Sequence, residues 1–154
     1  MKKLWDNSPK EKKQFILNVF DINPSDIQIL NSRDIILFTQ QFSDDHYLTV
    51  DEQITLYKKI LSNYDQTKVI IKPHPRDSID YKKKFPGIAV FEKIAPMQLL
   101  DLLDIHFKIA VTISSSAVLS IPYKLKIDWY GSRIHPKLLK IEGDRRLEDL
   151  LLNT

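Results

Sequence analysis

The segment Lys72-Pro73-His74-Pro75-Arg76-Asp77 sets one imidazole between two prolines and two cations. Proline fixes its own φ and restricts the residue before it, so the backbone on both sides of His74 is held. An imidazole presented this rigidly beside Lys72 and Arg76 suits an anion. It donates a hydrogen bond to a phosphate oxygen or protonates a leaving oxygen. Ser114-Ser115-Ser116 is a second candidate. Where a helix opens directly after a strand, its free N–H groups and nearby hydroxyls take an anion without any glycine-rich loop. One serine is enough for an N-cap, and three together favour phosphate.

Other reactive side chains have plainer explanations. Asp44, Asp45 and His46 follow an apolar run, where adjacent acids form a loop or a cap, and no metal site is expected there. Lys82-Lys83-Lys84 reads as the wet face of a helix. His135-Pro136 repeats the His74-Pro75 pair but follows Gly131 in a loop, so it is taken as structural. His106, with Asp101 and Asp104, precedes a strand and therefore belongs to the far end of a sheet.

Composition removes several functions. The chain has 154 residues, no cysteine and three glycines, Gly87, Gly131 and Gly143. Zero cysteines exclude a disulfide scaffold, a thiolate nucleophile and a zinc site with Cys ligands. Three scattered glycines exclude the dinucleotide fingerprint and the Walker A loop. A net charge of +3 suits an anionic ligand, but 23 basic against 20 acidic residues is too even for a nucleic-acid binder. The start, MKKLWDNSPKEKK, lacks the apolar core of a secretory signal, and no apolar run is long enough to span a bilayer. The expected location is the cytoplasm, including its boundary with the inner face of the membrane.

The elements that must carry these residues alternate. Strands are expected at 34–38, 68–72, 87–91, 107–113 and 125–129, each a short apolar or β-branched run. Helices are expected between them: Val50 to Tyr64, Ser78 to Phe85, Pro96 to Leu103, and one or two turns from Ser114 to Ser120. Short helical pieces follow at 136–139 and 145–152. Strands separated by helices predict an α/β, three-layer, Rossmann-like domain with a parallel sheet of about five strands. Residues 33–154 form that domain. Residues 1–32 are expected to be a helix capped by Ser8-Pro9, with Phe15, Ile16, Val19 and Phe20 on its apolar side, and a linker from Asn23 to Asn31. In an open α/β sheet the ligand lies beyond the carboxyl ends of the strands. Thr39 and Gln40, Lys72 to Arg76, and Ser114 to Ser116 all stand at such ends.

ILFTQQFSDD, KVIIKPHPRDSIDYKKKFP, VTISSSAV and IDWYG, in this order and spacing, resemble the carboxyl-terminal half of glycosyltransferase family 52. That family contains bacterial lipooligosaccharide sialyltransferases and is related to polysialyltransferases. The resemblance runs from about Ile35 to the end. It implies the carboxyl-terminal domain of a GT-B fold, in which two Rossmann-like domains flank the active-site cleft. It further implies a nucleotide-sugar donor, typically CMP-sialic acid, with no metal or other cofactor. His74 then takes the catalytic position on the departing phosphate. Ser114, Ser115 and Ser116 also contact it. On position alone, and not from the resemblance, Thr39 and Gln40 are expected to line the same cleft, and Lys72, Pro75 and Arg76 to bind the ligand beside His74. The family's acidic D/E-D/E-G motif, which supplies the general base, is not found: Asp44-Asp45 is followed by His46. The expectation is a donor-binding half that is inactive alone and meets its glycan acceptor through a separate amino-terminal domain. The competing expectation is a non-catalytic remnant that binds nucleotide or associates as a homodimer through its first helix.

Overall fold

A computed structural model of the chain describes residues 1–152. Residues 153 and 154, assigned from sequence to the sheet domain, lie outside the described residues. The sheet has strands β1 (Ile35–Phe38), β2 (Val69–Lys72), β3 (Ala89–Val90), β4 (Ile109–Thr112) and β5 (Lys126–Trp129), in the order β3-β2-β1-β4-β5. Every pairing is parallel. Central β1 sets Ile35 to Phe38 beside Val69 to Lys72 on one side and Ile109 to Thr112 on the other. The expected Rossmann-like sheet is present. The third strand, expected over 87–91, is only two residues long, because Phe85 to Ile88 is taken up by a turn.

Helices cover both faces: α1 (Lys2–Asp6), α2 (Lys10–Val19), α3 (Pro24–Asn31), α4 (Val50–Leu61), α5 (Tyr81–Lys84), α6 (Met97–Leu102), α7 (Pro136–Glu142) and α8 (Leu147–Leu151). Alternation along β1 divides the core. Ile35 and Leu37 pack with α4, α5 and α7, while Ile36 and Phe38 pack with α1, α3 and α6. Both sets are buried, as a doubly covered parallel sheet requires.

The amino-terminal region differs from expectation. Asn23 to Asn31 is not a linker. Asn23 caps α3, its side chain accepting from Asp26 N–H while the Asp26 carboxylate accepts from Asn23 N–H, with proline in the first turn. Ser8 does not cap α2: its hydroxyl donates to the Leu4 carbonyl, and Pro9 stands at the cap. Trp5, Ile22 and Leu30 are buried in the same core as Ile36 and Phe38, so residues 1–32 are packed against the sheet. Phe20 and Ile16 join that packing, whereas Phe15 and Val19 stay exposed. Among the described residues no helix is long and apolar enough to cross a membrane.

Candidate functional site

The order β3-β2-β1-β4-β5 reverses direction between β1 and β4, and the loops leaving those two strands part at that point. The loop after β1 carries Thr39 and Gln40, that after β2 carries His74, and that after β4 carries Ser114 to Ser116. A cleft of about 420 Å³ opens among them. Its floor is Phe38 and Thr39. Lys72, Pro73, His74 and Pro75 form one wall, Ser115, Ala117 and Ser120 the other. Ile94 to Met97, leading into α6, and Phe20, at the end of α2, close the apolar end. Phe20, the residue that ends α2, is not among the candidates read from sequence, which set residues 1–32 apart from the sheet domain.

Lys72 is the strongest electrostatic feature. Its ammonium donates to the Lys93 carbonyl at 3.0 Å and lies 5.1 Å from the centre of the Phe91 ring. No carboxylate among the described residues pairs with it, and burial pushes its pKa down to about 8. A largely desolvated cation without an acid beside it is costly to the unliganded fold and favourable to an arriving anion.

His74 is aimed by its own turn. Its Nδ1 accepts from the Arg76 N–H at 3.2 Å, and its carbonyl accepts from the Asp77 N–H at 2.9 Å. With Nδ1 acting as acceptor, the proton sits on Nε2, which becomes the donor. Burial first, then the Arg76 guanidinium, lower the imidazole pKa, so at neutral pH the ring is an uncharged donor. Ser115 caps the short 3-10 turn Ser116–Ser120, its hydroxyl oxygen accepting from Ala117 N–H and leaving the hydroxyl proton for the cleft.

The structure divides the remaining candidates. Pro75 lines the cleft as expected, but Gln40, Arg76, Ser114 and Ser116 do not. Gln40 and Ser114 are spent on each other: Ser114 N–H donates to Gln40 Oε1 at 2.8 Å and Gln40 Nε2 donates to Ser114 Oγ at 2.9 Å. Ser114 Oγ in turn donates to Glu142 of α7 at 3.1 Å, which draws it to the opposite face of the sheet. The pair bridges the two loops at the reversal point. Arg76 and Ser116 are exposed, and Arg76 serves through its backbone. The serine run therefore acts as three separate residues, with only Ser115 facing the cleft.

Residues set aside from sequence fall where expected. His135 caps α7 through Nδ1, and Asp44 latches a loop by accepting from both the N–H and the hydroxyl of Ser78. His106 contacts Asp101 at the surface, and Lys82 pairs with Glu92.

The sequence model of glycosyltransferase family 52 matches residues 1–138. The match starts at Met1 and so includes the amino-terminal helices. An uncharacterized protein of Haemophilus influenzae (strain KW20 / Rd) is 43% identical over 148 residues, covering 96% of this chain and 48% of that relative. The chain spans about half the length of the curated relative it matches. No solved structure matches.

Proposed function

The chain belongs to glycosyltransferase family 52, and from that premise we propose that it is the donor-binding part of a sialyltransferase-like enzyme. It would hold the phosphate of a CMP-sugar, CMP-sialic acid above all, among Lys72, His74 and Ser115. The observation that carries this reading is Lys72: a largely desolvated ammonium without an acidic partner among the described residues, on a side chain that lines the same cleft as His74 and Ser115.

The chemistry follows from where charge develops. As the bond between the sugar's anomeric carbon and the phosphate oxygen breaks, its electron pair stays on that oxygen and CMP departs. Donors already aimed at that oxygen stabilise the transition state more than the ground state. His74 supplies a neutral N–H, Lys72 a fixed positive charge, and Ser115 a hydroxyl. A phosphodiester carries one negative charge, so one ammonium and two neutral donors meet it without a metal ion. The apolar end, with Phe20, Ile94 and Met97, suits the nucleoside. The acceptor hydroxyl and the base that takes its proton are assigned to a part of the enzyme outside this chain, which is expected to be inactive alone. A nucleotide-sugar donor would be met in the cytoplasm, which supports that location as part of the proposal.

Calorimetric titration of the folded chain with CMP tests the reading. CMP binds, and His74→Ala raises Kd by about tenfold or more, the usual loss for a hydrogen bond to a charged group. A folded chain with no CMP affinity, or His74→Ala binding CMP like the parent, would overturn it.

A further inference from the structure

Within Pro73-His74-Pro75 only His74 has a backbone N–H, because proline has none. That single donor goes to Thr39 Oγ1 at 3.2 Å. The hydroxyl of Thr39 has one proton, and it is given to Asp77 Oδ2 at 2.9 Å. The polarity of the chain is therefore set: Asp77 accepts from Thr39, and Thr39 accepts from His74. Asp77 is itself braced. Its Oδ2 also accepts from the Tyr81 hydroxyl at 2.7 Å and Gln53 Nε2 at 3.3 Å, and its Oδ1 accepts from Ile79 N–H at 3.2 Å. Gln53, wholly buried, is fixed in turn by donating to the Gln40 carbonyl at 2.7 Å and accepting from Ser43 N–H at 2.7 Å. No lysine or arginine shares in these contacts, so the carboxylate rests on neutral donors supplied by the loop after β1, by α4, by α5 and by its own loop.

We infer that Thr39 and Asp77 are positioning residues for His74, a relay that fixes where its imidazole stands relative to the donor phosphate. Thr39 thus does not serve by touching the ligand, although it lies in the cleft floor. Asp77 sets the direction of the Thr39 hydroxyl, and the hydroxyl takes the one backbone donor of the proline-flanked histidine, whose carbonyl is held in turn by the Asp77 N–H. A buried network in which each member is satisfied is rigid, and loss of one member leaves the others without partners. The proposal rests on the reading of the cleft as a nucleotide-phosphate site.

The test compares CMP with cytidine, which shares the nucleoside but lacks the phosphate. Thr39→Val keeps the shape and removes the hydroxyl. It weakens CMP roughly tenfold, the loss of about one hydrogen bond's worth of alignment, and leaves cytidine unchanged. Thr39→Ser recovers CMP affinity. Asp77→Ala alone matches Thr39→Val, and the double variant loses no more than either single one, as one relay requires. Asp77→Asn, which keeps an acceptor oxygen for the Thr39 hydroxyl, binds CMP more nearly like the parent; if Asp77→Ala does not fold, Thr39→Val, Thr39→Ser and the exchange measurement carry the test. Independently of any ligand, the His74 amide proton is protected from exchange in the parent and loses that protection in Thr39→Val. Equal losses for CMP and cytidine, additive losses in the double variant, or an unprotected His74 amide in the parent would each overturn the relay. His74→Ala with unchanged CMP affinity overturns the phosphate reading instead, and leaves the exchange result to judge the relay.

Discussion

Neutralising Lys72 should make the unliganded protein more stable and a poorer binder. The ordinary lysine value of 10.5 is pushed down to about 8 in the fold, by burial. Between those values the unfolded chain holds more protons than the native one, so stability rises with pH from about 8 upward and is flat below. At pH 7 the charged side chain is a net burden. A value lowered from 10.5 to about 8, at about 1.36 kcal/mol per pH unit, makes that burden roughly 3 kcal/mol. Lys72→Met removes it but also forfeits the Lys93 carbonyl bond and the Phe91 contact, about 1 kcal/mol each. The net expectation is a gain of about 1 kcal/mol at pH 7 that shrinks and reverses toward pH 10. Ligand affinity moves the other way. On the proposed reading CMP requires the ammonium, so in the parent its affinity should weaken as pH passes about 8, by up to tenfold per unit, while Lys72→Met should bind CMP weakly at every pH. Urea denaturation at pH 7 and 10, with calorimetric titration of CMP at pH 7 and 9, measures both. Lys72→Met less stable than the parent at pH 7, or parent affinity level across this range, would refute the reasoning.

Two further outcomes bear on the frame around the site. Gly131 has φ +70°, and a Cβ there would stand 3.1 Å from the Arg145 carbonyl oxygen. Gly131→Ala is therefore expected to destabilise by about 1–3 kcal/mol, seen as a lowered Tm. Gly87→Ala, at φ +92° but with open space around it, should cost less. Lys137 and the Thr49 N–H hold the Glu52 carboxyl down at about 2, below its ordinary 4.5. The stability this contributes is present above 4.5 and is lost as pH falls toward 2. Lys137→Met removes the ion pair, so the two proteins should differ in urea midpoint at pH 6 and converge near pH 2.

The strands were legible because a buried parallel sheet writes itself as short apolar runs, and Ile35 to Phe38 and Val69 to Ile71 are wholly buried on both faces. His74 was legible because its two prolines and its place at a strand end are local facts. Asn23-Pro24-Ser25-Asp26 also carries a helix start, a capping residue with proline next and an acid at the third position, within the stretch expected to be a linker. The division of the serines was not legible. Ser114 turns away because Gln40 and Glu142 claim it, partners 74 and 28 residues distant, and no local pattern reports such a choice. The same holds for Asp77, whose role comes from Thr39 and Gln53, 38 and 24 residues earlier.

The central place of β1 has a consequence for how the cleft comes into being. Its walls are drawn from residues as far apart as Phe20, Thr39, His74 and Ser115, and they meet only when β1 has paired with both β2 and β4. No excised hairpin or helix of this chain could hold a fragment of the ligand. Occupancy is therefore coupled to the cooperative unfolding of the whole sheet and not to the loosening of a loop. At a concentration of CMP a hundred times its Kd, mass action alone would add about 2.7 kcal/mol to global stability. A nucleotide-dependent rise in melting temperature would then serve as a census of completely assembled molecules.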